Sequence, residues 1–151
     1  MNQKRILIVD DEASMRFLLS KQLKRAGYET ATAGGGEAAI AAASGTSFDA
    51  IVLDVVMPGI DGFEVCRRLK ADPRTQDVPV VFLSASSSGE FRRRAFSVGA
   101  ADFLAKPYQI QLPPDYLQAT LRRADETDAA VGRVVSVIGS SRPADAAMTA
   151  T

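Results

Sequence analysis

The sequence predicts an α/β fold in which five parallel strands form one sheet with helices packed on both of its faces. Short apolar runs of strand length alternate with stretches whose apolar residues recur at helical spacing. Polar residues follow most of those runs directly, as expected where loops leave the carboxyl ends of buried parallel strands. The chain of 151 residues is long enough for one such domain and a tail.

The first half of the chain predicts three strands and two helices. The apolar run that begins at Arg5 suits a strand buried on both faces, and Gly27 lies where the first helix should end. The second helix is alanine-rich and weak, and the third strand runs directly into Asp54. In chain order we place these elements at 5–9 (strand), 13–26 (helix), 28–33 (strand), 35–43 (helix) and 48–53 (strand).

The second half predicts two more helices and two more strands. Residues 57–62 have the composition of a turn, and Asp61 is the expected cap of the helix that follows. Asp72 and Pro73 end that helix, and Gly99 ends the next one. In chain order we place these elements at 63–71 (helix), 78–83 (strand), 90–98 (helix) and 101–104 (strand).

The tail predicts a last helix that begins near Pro114 or Asp115, because a proline is tolerated in the first turn of a helix. A long helix is favoured over a strand, although residues 131–138 are rich in β-branched side chains. We therefore divide the chain into a domain at 1–124 and a C-terminal extension at 125–151, disordered beyond Gly139. A faint heptad supports the long helix and comprises Leu117, Leu121, Ala124, Asp128, Val131, Val135 and Ile138.

Composition excludes several classes of function. Lysine plus arginine equals aspartate plus glutamate at 18 each, so no global field attracts nucleic acid or an anionic membrane. The chain has no histidine, which removes catalytic triads, histidine-ligated metals and a phosphohistidine of its own. Cys66 has no partner for a disulfide, and the start of the chain lacks the apolar run of a signal peptide. We expect a cytoplasmic protein.

Polar residues with complementary chemistry punctuate the strands. Asp10 and Asp11 follow the first strand, Asp54 the third, Ser84 the fourth and Lys106 the fifth. The carboxyl ends of parallel strands form one edge, so these side chains are expected to converge. An oxygen-only set suits Mg²⁺, with Mn²⁺ as the alternative. Lys106 and Ser84 can contact phosphoryl oxygens, and Asp54 can act as the nucleophile.

The remaining polar features are expected to be structural. We assign Asp49 to a strand start, Asp61 to a cap, Asp72 to a turn and Asp102 to the surface. Cys66 is expected to be packed. The arginines at 92–94 predict a solvated helix face, with partner binding as the alternative.

Several motifs together resemble the receiver domains of two-component response regulators, the CheY-like superfamily. The resemblance covers roughly residues 4–124. The matching segments are Ile-Val-Asp-Asp-Glu at 8–12, Asp-Ala-Ile-Val-Leu-Asp at 49–54, Met-Pro-Gly-Ile-Asp-Gly at 57–62, Leu-Ser-Ala at 83–85, Gly-Ala-Ala-Asp-Phe at 99–103 and Lys-Pro at 106–107.

This resemblance implies a flavodoxin-like sheet with strand order 2-1-3-4-5. It also implies that Asp54 accepts a phosphoryl group from a histidine kinase or a histidine phosphotransfer protein. Mg²⁺ is then held by Asp10, Asp11, Asp54 and the backbone carbonyl of Val56.

The resemblance further implies a conformational switch. Ser84 turns toward the phosphoryl group while Phe103 rotates inward, which repacks the face made by the fourth helix, the fifth strand and the last helix. That face then signals to a downstream protein. The bond before Pro107 is expected to be cis. Phe103 lacks the hydroxyl of receivers with tyrosine at this position, and Ser84 replaces the commoner threonine.

Two alternatives belong to other classes. A haloacid-dehalogenase-type phosphatase also uses an aspartyl nucleophile with Mg²⁺, but it requires a second aspartate two residues later, where this chain has Val56. A phosphorylation-independent binding module would not need Asp54 and Lys106. We therefore expect a signalling switch that catalyses only its own phosphorylation and dephosphorylation, with no direct contact to nucleic acid or membrane. It is either a stand-alone receiver or a piece of a longer protein, and its last helix could support a homodimer.

Overall fold

The computed structural model describes residues 3–86, 88–106 and 137–138. No helix in this described part of the chain is long and apolar enough to cross a bilayer. The elements are, in order, β1 (Arg5–Val9), α1 (Ala13–Arg25), β2 (Glu29–Ala33), α2 (Gly36–Gly45), β3 (Ala50–Asp54), α3 (Gly62–Ala71), β4 (Val80–Ser84), α4 (Gly89–Ser97) and β5 (Asp102–Ala105).

The five strands form one parallel sheet in the order β2-β1-β3-β4-β5, which confirms the predicted flavodoxin-like topology. Val9 of β1 pairs with Leu53 of β3, and Asp54 pairs with Leu83 of β4. After β1 the chain moves outward to β2 and then crosses back to β3. The carboxyl ends of β1 and β3 therefore flank the point at which strand order reverses, where open α/β sheets bind ligands.

Alternate residues of the strands enter two separate apolar cores. One core lies between the sheet and α2, α3 and α4, and it includes Leu53, Phe82 and Phe103. The other lies on the α1 face, where Leu19 and Leu23 of α1 cover the sheet. The α1-face core includes from the sheet Ile6, Ile8, Ala50, Val52, Val81, Leu83 and Leu104. This two-sided burial explains why the strands are continuous apolar runs rather than alternating ones.

The predicted bounds of each element differ from the observed ones by at most two residues. The third strand begins at Ala50 because Asp49 turns its carboxylate back to accept the backbone N–H of Arg5 at 2.7 Å. The fourth begins at Val80, since Pro79 has no N–H for a strand ladder, although its carbonyl accepts from Ile51 at 2.9 Å.

The predicted last helix, the cis bond before Pro107, the boundary at 124 and the end beyond Gly139 lie outside the described residues. Of the heptad, only Ile138 is described. It is fully buried in the α1-face core beside Leu19 and Leu23. Gln22 of α1 donates from Nε2 to the carbonyl of Val137 at 2.8 Å. A segment far along the chain thus returns to the α1 face of the sheet.

Candidate metal centre

Three carboxylates meet at the edge of the sheet where β1 and β3 end. Asp10 and Asp11 follow β1, and Asp54 is the last residue of β3. One oxygen from each lies within 4.8 Å of the other two. Asp10 is 1% exposed and Asp54 3%, whereas Asp11 faces solvent. This acidic trio can surround one small cation from its buried side and leave the outer side open to solvent.

Lys106 enters the same edge from the end of β5. Its Nζ lies 3.0 Å from Asp10 Oδ2 and 3.3 Å from Asp54 Oδ2. A third carboxylate, Glu12, contributes Oε1 at 3.4 Å. The backbone N–H of Lys106 donates to the carbonyl of Ser84 at 2.7 Å, which holds the lysine beside the end of β4. The ammonium group at the end of β5 therefore neutralises part of the negative charge that gathers at the ends of β1 and β3.

The crowding alters the acidity of Asp54. Burial, together with the negative charge of Asp10, raises the pKa of Asp54 from 3.8 to about 6, although Lys106 acts in the opposite direction. Burial alone would lower the pKa of Lys106, but its contacts with Asp10 and Asp54 outweigh burial and raise it. The lysine therefore stays charged, while the trio favours any further positive charge.

The donor set fits a hard divalent cation. Among the described residues, one buried side-chain oxygen, Asp10 Oδ2, makes no hydrogen bond of good geometry. Its contact with Lys106 is an ion pair. A carboxylate oxygen left in this condition costs free energy unless a cation contacts it. Three aspartates without histidine or thiolate suit Mg²⁺ or Mn²⁺.

Local backbone structure sets the direction of these side chains. Asp10 Oδ1 accepts the N–H of Glu12 at 2.9 Å, which closes the turn between β1 and α1. On the other side, Asp61 caps α3 by accepting the N–H of Glu64 at 2.9 Å, and the N–H of Gly62 donates to the carbonyl of Val55 at 2.7 Å. A Cβ on Gly62 would overlap the carbonyl oxygen of Asp54. Only glycine therefore allows α3 to begin directly against the Asp54 backbone.

The family of this chain follows from its match to a family model. The model of the response regulator receiver domain matches residues 6–117. The chain belongs to this family. Receiver domains are a signalling family rather than classical enzymes, which agrees with the expectation of a two-component switch.

The chain matches only part of a longer curated relative. The DNA-binding dual master transcriptional regulator RpaA of Synechocystis sp. is 40% identical over 121 residues. That alignment covers 80% of this chain and 50% of the regulator. The chain therefore spans about half the length of this relative.

Solved receiver structures share the fold. The chemotaxis protein CheY4 of Vibrio cholerae has a TM-score of 0.70 and 35% identity, and the match covers 81% of this chain and 98% of CheY4. The response regulator TrrA of Thermotoga maritima, solved in complex with Mg²⁺-BeF, has a TM-score of 0.66 and 31% identity over 80% of this chain and 98% of TrrA.

The two predicted switch residues of this receiver are both buried. Ser84 ends β4 beside Leu83, the pairing partner of Asp54, and its Oγ accepts the N–H of Ser86 at 3.1 Å. Phe103 pairs with Phe82 across β4 and β5 and packs in the core beneath α3 and α4. The ring of Phe103 thus occupies an inward position in this structure.

Val56 is an apolar residue among the predicted site residues, yet it is 66% exposed. It lies in the loop between β3 and α3, directly after the buried Val55. Its role rests on its backbone carbonyl, and that role stays a prediction.

Sequence reasoning missed two residues at this edge, Glu12 and Arg16. Glu12 precedes α1 but makes no side-chain cap, and its carboxylate instead contacts Lys106. Arg16 donates from Nη1 to the carbonyl of Asp10 at 2.7 Å. The only available signal for Glu12 was its place in the acidic run after β1. No pattern in the sequence indicated Arg16.

Most residues assigned to structural roles occupy them, although Asp49 lies just before β3 rather than in it, and Asp102 is half-buried rather than at the surface. Asp72 lies in the turn after α3, where its carboxylate pairs with Arg74, and Asp102 accepts the N–H of Phe103 at the start of β5. Cys66 is fully buried, and burial raises the pKa of its thiol to about 11. The arginine run is exposed as expected, but Arg94 also covers the ring of Phe63 at 4.5 Å.

Proposed function

We propose that this receiver domain takes a phosphoryl group onto Asp54 and signals its presence to a protein partner. The observation that supports this most is the meeting of Asp10, Asp11, Asp54 and Lys106 at one edge of the sheet, although they come from the ends of three strands. Each residue alone is ordinary. Together they provide a nucleophile, a cation site and a fixed positive charge.

In this proposal the carboxylates of Asp10, Asp11 and Asp54, with the carbonyl of Val56, hold Mg²⁺ or Mn²⁺. When bound, the cation supplies positive charge that stabilises the phosphoryl oxygens during transfer. The structure of TrrA in complex with Mg²⁺-BeF supports Mg²⁺ as the cation.

The transfer step assigns a separate task to each side chain. A carboxylate oxygen of Asp54 attacks phosphorus as the bond to the donor's histidine nitrogen breaks, and the imidazole leaves with a proton from solvent. Lys106 contacts the phosphoryl oxygens by its ammonium group, and Ser84 donates its hydroxyl hydrogen to one of them. The buried position of Asp54 limits the access of water to the product.

The proposed output is a change on the face formed by α4, β5 and the segment after Lys106. Ser84 Oγ accepts the N–H of Ser86, so a rotation of the Ser84 side chain toward a phosphoryl oxygen would act directly on the loop between β4 and α4. We propose a histidine kinase or phosphotransfer protein as donor and a protein as the direct partner of this domain. The name of RpaA describes it as DNA-binding, but the match to this chain covers only half of RpaA, so we do not assign DNA binding to this domain. Action in the cytoplasm and a homodimer through the last helix remain parts of this proposal.

Membership of the receiver family favours this function over a haloacid-dehalogenase-type phosphatase. Such a phosphatase needs a general acid two residues after its nucleophile, and Val56 cannot transfer a proton. A binding module without phosphorylation would have no use for the acidic trio, in which the burial of Asp10 and Asp54 costs stability.

Phosphorylation provides the direct test. Incubation with Mg²⁺ and either acetyl phosphate or a phosphohistidine donor should add one phosphoryl group per chain. Intact mass spectrometry measures the added mass. Asp54→Asn should abolish the label because the amide is not a nucleophile. Asp77→Asn is the matched control, since Asp77 is an exposed aspartate with no role at the site, and it should label normally. Equal labelling of Asp54→Asn and wild type would contradict the proposal, and repeated turnover of a simple phosphate ester would favour a phosphatase.

A further inference from the structure

Arg16 links the metal-binding turn to α1 without touching the acidic side chains. It lies in the first half of α1, half-buried, and its Nη1 donates to the backbone carbonyl of Asp10 at 2.7 Å. A charge-assisted hydrogen bond of this length is among the stronger polar contacts in proteins. The contact spans six residues, so it is not part of the hydrogen-bond ladder of the helix.

The carbonyl that Arg16 holds has a special position. It belongs to the peptide unit that joins Asp10 to Asp11, so its direction fixes the backbone between two members of the acidic trio. Two further hydrogen bonds hold the same turn. The N–H of Glu12 donates to Asp10 Oδ1, and the N–H of Asp10 donates to the carbonyl of Ala33 at 3.2 Å. With Arg16, both the N–H and the C=O of Asp10 are tied to neighbouring elements.

The chain leaves space for the guanidinium at the end of β2. A Cβ on Gly34 would lie 3.4 Å from Arg16 Nη1, already in contact with it. Gly34 does not have the left-handed backbone that favours glycine. A methyl group at Gly34 would make only ordinary contact with the guanidinium, whereas we expect a larger, branched side chain to displace it from Asp10.

Charge alone predicts an effect opposite to that of geometry. Arg16 adds positive charge at an edge that already holds Lys106, so its electrostatic effect on a cation in the trio is repulsive. If charge dominated, removal of Arg16 would tighten cation binding. If the hydrogen bond dominated, removal would loosen the turn and weaken binding.

We infer that Arg16 is a positioning residue of the cation site: its hydrogen bond orients the Asp10–Asp11 peptide so that both carboxylates face Asp54. This inference rests on the proposed function in one respect, that the acidic trio binds a divalent cation. It does not depend on phosphorylation.

The test is cation affinity of the full chain, measured for Mn²⁺ by the EPR signal of the free ion and for Mg²⁺ by calorimetry. Arg16→Met removes both the donor and the charge, and it should weaken binding by about tenfold, the scale of losses at supporting contacts of metal sites. Arg16→Lys keeps a donor and should retain most of the affinity. Arg25→Met is the matched control, because it removes an exposed arginine from the far end of the same helix, and it should bind as wild type.

Gly34→Val tests the position of the Arg16 guanidinium while the arginine and its charge are retained. It should weaken binding to a similar degree as Arg16→Met, and in the metal-free protein both should shift the NMR amide signals of Asp11 and Glu12. Unchanged or tighter binding by Arg16→Met and Gly34→Val would overturn the inference while leaving the proposed function intact. A wild-type chain that binds neither cation would overturn the proposed function itself, and the inference with it.

Discussion

Asp54 carries a cost in the metal-free protein because it shares a small volume with Asp10 and Asp11. Lys106 compensates part of this negative charge through its ion pairs with Asp10 and Asp54, but Asp10 Oδ2 still lacks a well-directed hydrogen bond. The raised pKa of Asp54 has the same origin, since burial and the neighbouring carboxylate of Asp10 both disfavour its charged form. A site poised in this way gains stability from any cation that it binds.

We predict that Asp54→Asn stabilises the metal-free protein above neutral pH. The pKa of Asp54 is about 6 in the folded chain and near its ordinary value when unfolded, so between about pH 4 and pH 6 the folded state holds a proton that the unfolded state has released. The contribution of protonated Asp54 is therefore complete below about pH 4 and is lost as the pH rises through about 6. Asn mimics the neutral form at every pH.

The difference in free energy of unfolding between Asp54→Asn and wild type should thus grow from near zero at pH 4 to about 1–2 kcal/mol at pH 8, after reduction for the lost Lys106 contact. Urea denaturation in the presence of a chelator measures it, and Mg²⁺ should narrow the gap by stabilising wild type. Asp77→Asn should show no such pH trend. A mutant less stable than wild type at pH 8 would contradict this account of Asp54.

The element that most directly supports the site is α3. Asp61 caps its first turn, and Gly62 brings the helix against the backbone of Asp54. The helix then buries Phe63, Val65 and Cys66 against the sheet. A rigid element, rather than a free loop, thus holds Asp54 from behind, and the proposed role of Asp54 as nucleophile requires such precise placement.

We expect Gly62→Ala to destabilise the protein by about 2 kcal/mol or more, because the added methyl overlaps backbone that cannot move independently. It should also weaken Mn²⁺ binding, since Asp54 must shift. Gly45→Ala is the control: it lies near the end of α2 with open space around it and should be neutral or slightly stabilising. Thermal unfolding and Mn²⁺ titration of both variants provide the comparison, and equal behaviour would show that the close approach of α3 is unimportant.

At the scale of the molecule, the two faces of the sheet are covered differently. Helices α2, α3 and α4 cover one face. On the other face the described cover is α1 together with Val137 and Ile138. Ile138 lies in the predicted C-terminal extension, yet it is 0% exposed. The folded core therefore draws on residues well beyond the predicted boundary at 124, and that boundary itself stays a prediction.

Truncation of the Ile138 side chain should therefore cost as much as a core substitution. We predict that Ile138→Ala lowers the free energy of unfolding by about 2–4 kcal/mol. Leu18→Ala, on the partly exposed side of α1, should cost about 1 kcal/mol or less. Chemical denaturation of the full chain measures both. Equal small losses would mean that Ile138 does not contribute to the core in solution.

Much of this organisation could be predicted before any coordinates were known. Each strand bound fell within two residues because a strand buried on both faces needs a continuous apolar run, and such runs are visible locally. The convergence of Asp10, Asp54 and Lys106 followed from topology alone, since residues at the carboxyl ends of parallel strands share one edge. Asp61 could be recognised as a cap from the sequence, because capping depends only on residues that are near neighbours in the chain.

Other features required the tertiary structure. The hydrogen bond from Arg16 to Asp10, the ion pair of Glu12 with Lys106 and the overlap that excludes a side chain at Gly62 depend on how far particular atoms reach across the fold. Ile138 illustrates the limit most clearly, because a heptad position is apolar whether it faces a second chain or the protein's own core. Sequence patterns report that a side chain must be buried, and only the assembled fold decides against which neighbour.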